Sequence, residues 1–75
     1  MPHVDITMIP GRDDNAKRQL AQKVQAFLAR ELRIEEQFVS VSIEDVSKEQ
    51  WGAHMAAMTD KIMFVAPFSG GTQNA

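Results

Sequence analysis

Residues 3–9, His-Val-Asp-Ile-Thr-Met-Ile, alternate along the chain, with Val4, Ile6 and Met8 on one face and His3, Asp5 and Thr7 on the other. A repeat of two is the mark of a half-buried strand, and the Pro10-Gly11 pair ends it. The period then changes. Leu20, Val24, Phe27, Leu28 and Leu32 recur at three- and four-residue steps behind Asp13 and Asp14, whose carboxylates suit the free N–H groups of a first helical turn. This spacing predicts a helix of about 18 residues.

A second alternation runs over residues 38–46, with Val39, Val41 and Ile43 facing one way and Ser40, Ser42 and Glu44 the other, and predicts a second strand. Ser47 and Gln50 then form a capping-box pair, and Met55, Met58, Ile62 and Val65 follow at helical steps, so a shorter C-terminal helix is expected. Residues 67–75 carry turn signals and no period; they read as a flexible tail, ordered only if Phe68 finds a pocket.

Strand, long helix and strand in that order describe an α/β chain of the β-α-β type. The helix makes a right-handed crossover, which leaves the two strands parallel. One helix covers only one face of such a sheet. Two strands with a bare face and two open edges do not persist alone in water, so the sheet is expected to be completed by oligomerisation.

Composition sharpens that expectation. The chain has 75 residues, enough for a single domain over 1–75 with a modest core. It has no cysteine to staple that core. The formal net charge is −2, from 8 Lys+Arg against 10 Asp+Glu, and the absence of a basic block argues against nucleic acid as a partner. No leader pattern and no apolar run long enough to span a bilayer stand out, so a soluble cytoplasmic protein is expected, with no membrane partner.

A chain that starts Met-Pro, enters an alternating strand, turns at Gly11-Arg12 and continues with one long helix and one strand resembles the 4-oxalocrotonate tautomerase family. Beside its short hexameric members, Pro2 falls on the family's N-terminal proline, Gly11-Arg12 on its Gly-Arg pair and Trp51-Gly52 on its Phe-Gly pair, without a gap. The resemblance implies that the Pro2 amine, freed by removal of Met1, moves a proton between carbon and oxygen of an enol or dienol acid, with no metal and no cofactor. Two departures matter. Ser40 stands where many members carry an arginine, which implies a different substrate. The opening Met-Pro-His-Val-Asp-Ile, Trp51 and the extended C-terminus look like the small dimeric subgroup, so a homodimer is favoured over a hexamer.

The residue chemistry fits these roles and also admits plainer ones. An α-amine titrates near ~7.7–8.0, and apolar burial lowers that value until the amine is a free base at neutral pH. Proline after an initiator Met is also common and harmless. Arg12 offers a planar fork for a substrate carboxylate, or is a solvated charge beside Asp13 and Asp14. About eight residues of extended chain put it ~25 Å from Pro2, so the Arg12 serving a given Pro2 is expected from a partner subunit. Trp51 can wall off the substrate from water or anchor a core or interface. Ser40 can donate to a substrate oxygen or lie idle on the strand. His3 and His54 are candidate ligands but lack a third at recognisable spacing, so no metal site is expected. Met55, Met58 and Met63 suit core or interface gaps.

Three functions remain open: a tautomerase acting on a small 2-oxo acid; a hydratase, dehalogenase or decarboxylase on the same scaffold, with Glu44 or Glu49 activating water; and a non-catalytic dimeric binding module.

Overall fold

The computed structural model describes residues 1–67, and Phe68 with the rest of the expected tail lies outside the described residues. The elements are β1 (His3–Met8), α1 (Asp14–Leu32), a 3-10 turn (Glu36–Phe38), β2 (Ser40–Asp45) and α2 (Lys48–Ala56). The two strands are parallel, joined by α1. His3 lies opposite Ser40, Asp5 opposite Ser42 and Thr7 opposite Glu44, while Val4 meets Val41 and Ile6 meets Ile43. This register aligns the two alternations, so one sheet face is apolar and the other polar; a slip of one residue would mix them.

Asp13 is the N-cap of α1 and accepts the Ala16 N–H at 2.8 Å. Before it, Gly11 takes φ 146°, a backbone region that side chains rarely enter, and lets the chain leave β1. At the other end Arg33 adopts the left-handed conformation, φ 59° and ψ 48°, with its N–H on the last carbonyls of the helix. The Ile34 N–H also reaches back to Ala29 O at 3.0 Å, which satisfies carbonyls a helix end leaves free.

The second strand starts later than its alternation predicts, at Ser40 instead of residue 38. The Gln25 amide explains why: its Nε2 donates to Glu36 O at 2.9 Å and to Val39 O at 3.0 Å. Phe38 is thereby held in the 3-10 turn rather than in the ladder. The C-terminal helix is likewise shorter than expected. Ser47 caps it as the capping-box pattern predicts, but it stops at Ala56 and does not reach Met58, Ile62 or Val65. Short helices are held mainly by packing of an apolar face, and that segment finds no such packing among the described residues, Phe64 being 90% and Val65 88% exposed.

Among the described residues only Ala29 (4% exposed) and Val39 (3%) are fully buried, where α1 crosses β2. The helix positions expected to be core divide: Val24 and Leu28 are half-buried, whereas Phe27 and Leu32 are exposed. An ion pair at 2.9 Å ties Lys17 on α1 to Asp45 at the end of β2. Among the described residues no helix is long and apolar enough to cross a membrane.

Two substitutions check these local causes. Gln25→Leu leaves two carbonyls without their donor and is expected to lower unfolding stability by about 1–3 kcal/mol. Arg33→Gly relieves the left-handed backbone and is expected to raise stability by ~0.5–1 kcal/mol. Urea denaturation measures both.

Candidate active site

Pro2 sits immediately before β1, half-buried. Its carbonyl accepts the Ser40 N–H at 3.3 Å, the first bond between the two strands. Around it Met1, Leu32, Ile34 and Phe38 line an open hollow of about 550 Å³. These residues come from the end of α1, the segment after it and the 3-10 turn, so the crossover delivers an apolar wall to the amino end of the sheet. Met1 is 94% exposed and contributes little packing to the chain that follows it.

The Ser40 side chain does not point to a free donor role. Its Oγ lies 2.6 Å from His3 Nδ1, and the other ring nitrogen, Nε2, lies 2.9 Å from Ser42 Oγ. Ser42 in turn donates to Asp5 Oδ1 at 2.5 Å. His3, Ser40, Ser42 and Asp5 therefore form a continuous hydrogen-bonded row across the polar face of the sheet. The alternation places all four on that face, but strand periodicity carries no sign that they bond to one another.

Arg12 and Trp51 lie elsewhere. Arg12 follows the carboxyl end of β1, with Nη1 4.0 Å from Met8 Sδ. β1 separates that end from Pro2 by about 20 Å at the usual rise. Among the described residues neither Asp13 nor Asp14 forms an ion pair with Arg12. Trp51 is half-buried on α2, which leaves from the carboxyl end of β2, and its ring centroid is 6.2 Å from that of His54 at a 35° tilt. A single chain thus brings Ser40 to Pro2, and sets Arg12 and Trp51 on segments that follow the opposite end of the sheet.

The polar face also holds a pair of interacting carboxyl groups. Asp5 is held below the usual carboxylate value by hydrogen bonding to Glu44 and then by the Ser42 hydroxyl, and Glu44 is pushed up by sharing that hydrogen bond and by the Asp5 charge. The positive field of His54 reaches both and favours their ionised forms. His54 Nε2 is itself buried without a hydrogen-bond partner among the described residues. No metal-ligating cluster occurs among the described residues.

Comparison with known proteins adds a family to this geometry. The family described as "Tautomerase enzyme" matches residues 2–61, a stretch that begins at Pro2. A probable tautomerase of Bacillus cereus is 33% identical over 61 residues, covering 81% of this chain and all of the relative, and one of Bacillus anthracis matches to the same extent. A probable tautomerase of Xylella fastidiosa is 33% identical over 51 residues, 68% of this chain and 62% of its own length.

The carboxyl pair has a pH signature. Because Glu44 is raised from 4.5, its contribution to stability is present below that value and lost as pH rises through the raised one. Asp5 is lowered from 3.8, so its contribution is present above that value and lost as pH falls through the lowered one. Glu44→Gln keeps a donor to Asp5 without the second charge. Its melting temperature is expected to exceed the wild type's at neutral pH, with the advantage shrinking as the pH approaches 4.5; calorimetry at both pH values checks this.

Proposed function

The chain belongs to the tautomerase family, and from that premise we propose that it interconverts keto and enol forms of a small 2-oxo acid, with the Pro2 amine as base and then acid. The observation that carries the reading is the apolar hollow around Pro2. Removal of Met1 frees the nitrogen, and the apolar wall disfavours its ammonium form, leaving a base at neutral pH. That base takes a proton from the carbon beside the oxo group and returns it at oxygen. No atom is gained or lost, so the cycle calls for no cofactor.

The substrate carboxylate is held by Arg12 of the partner subunit. Two copies running antiparallel bring the carboxyl end of one sheet, with Arg12 and Trp51, to the amino end of the other, with Pro2. The separation of these residues along one chain supports this arrangement. So does the exposure of Phe27, Leu32, Phe38 and Phe64, apolar surface that a homodimer would remove from water. In that setting Trp51 closes the hollow over a flat conjugated substrate. The Ser40 hydroxyl, engaged with His3, serves the site through the strand instead of through the substrate. Hydration or dehalogenation by Glu44 gains no support, because Glu44 pairs in register with Thr7, several residues up the strand from Pro2.

Intact mass establishes whether Met1 is absent from the active protein. Pro2→Ala is then expected to lower kcat for ketonisation of phenylenolpyruvate or a hydroxymuconate by about 10²–10⁴; an unchanged rate would remove Pro2 as the base, and a wild type no faster than the uncatalysed reaction would leave a non-catalytic binding module. Mixed Pro2→Ala and Arg12→Ala subunits are expected to regain activity beyond the sum of the parents, and recovery no larger than that sum would remove the shared site.

A further inference from the structure

The base proposed above must be held still, and the backbone at Pro2 is poorly placed to hold it. Pro2 lies at the end of a two-stranded ladder, with its first interstrand bond at 3.3 Å. Ends of small sheets open with little free energy. The next residue carries the fastening. His3 reaches across to the serine directly opposite and to the next serine on the same face, and bonds to both.

The hydrogens in this row can be counted. Asp5 accepts from Ser42 Oγ, which uses the only hydrogen that hydroxyl has. Ser42 can then only accept from His3, so His3 carries a hydrogen on Nε2. In the neutral ring Nδ1 is bare and accepts the Ser40 hydroxyl. In the charged ring Nδ1 donates, and the Ser40 hydroxyl turns to accept. Both bonds survive in either state, so the ring is suited to fixing geometry and poorly suited to passing protons to a substrate. The titratable groups around the row are Asp5 on β1, Glu44 on β2 and His54 on α2, and the Asp5 carboxylate keeps the tautomer in place.

We propose that His3 is a positioning residue for the Pro2 amine: by pinning its own strand to Ser40 and Ser42 it sets the direction of the neighbouring nitrogen and keeps it against Leu32, Ile34 and Phe38. This rests on the reading of Pro2 as the base. General-base chemistry is sensitive to such placement, since misplacement of about 1 Å costs on the order of 10²-fold.

With Met1-processed protein, His3→Ala is expected to lower kcat by at least ~10-fold with KM changed little, because the loss is in orientation and not in binding. The acid limb of its kcat/KM profile moves up toward the ordinary α-amine value as water reaches the nitrogen. His3→Asn keeps a bond to Ser40 and recovers part of the rate. An unmoved acid limb with kcat near wild type, whether or not the melting temperature falls, overturns the proposal. A second measurement needs no variant: nitrogen NMR of the wild-type histidines should show the neutral His3 ring protonated at Nε2, and protonation at Nδ1 instead overturns it. Full activity in Pro2→Ala would remove the base reading while leaving the tautomer result as it stands, so the two failures are distinguishable.

Discussion

A single helix packed on one face of a two-stranded parallel sheet is the constraint on which the rest of this structure depends. The register sorts apolar residues to the α1 side and polar residues to the other, so the helix has a surface to cover, but it covers it with little to spare. Only Ala29 and Val39 are fully buried among the described residues. Each exposed aromatic and aliphatic side chain then costs stability in proportion to its wetted area. The chain therefore carries an unfilled demand for apolar contact at its sheet edges, along the outer side of α1 and along the segment after α2.

That demand and the proposed chemistry meet at the amino end of the sheet. The hollow that would depress a proline amine is made of the same side chains, Leu32, Ile34 and Phe38, that one chain leaves exposed. A second copy would dry the hollow further and bring in the arginine the chain holds at its far end. Stability and catalysis are then served by one interface. The polar face plays the complementary part: the row from Ser40 through His3 and Ser42 to Asp5 joins the strands without apolar contact, where a two-stranded ladder alone is weak.

The strands, the long helix and their parallel order were legible because each rests on a period and a cap that neighbouring residues supply. The β-α-β class and the family resemblance agree with the fold and with the comparisons. Where the elements differ from the periodicity, a long-range contact, made or missing, is the cause. Phe38 alternates with Val39 and Ser40, yet the Gln25 amide from the helix turns it out of the strand. Met58, Ile62 and Val65 keep helical spacing, yet nothing among the described residues receives their face. At the candidate site, Pro2 and Ser40 adjoin in space, while the His3 row was invisible because each of its bonds spans more than thirty residues. The distance between Pro2 and Arg12 could be estimated from strand rise alone, since extended chain has a fixed length per residue.

The central claim is that apolar enclosure turns Pro2 into a base. Its most direct test is a pH titration of the Pro2 nitrogen by NMR in protein labelled with nitrogen-15 proline and freed of Met1. A midpoint below the ordinary α-amine range of ~7.7–8.0 is the expected result. A midpoint within or above that range would mean that the hollow leaves the amine as wet as in an unfolded chain, and would contradict the claim.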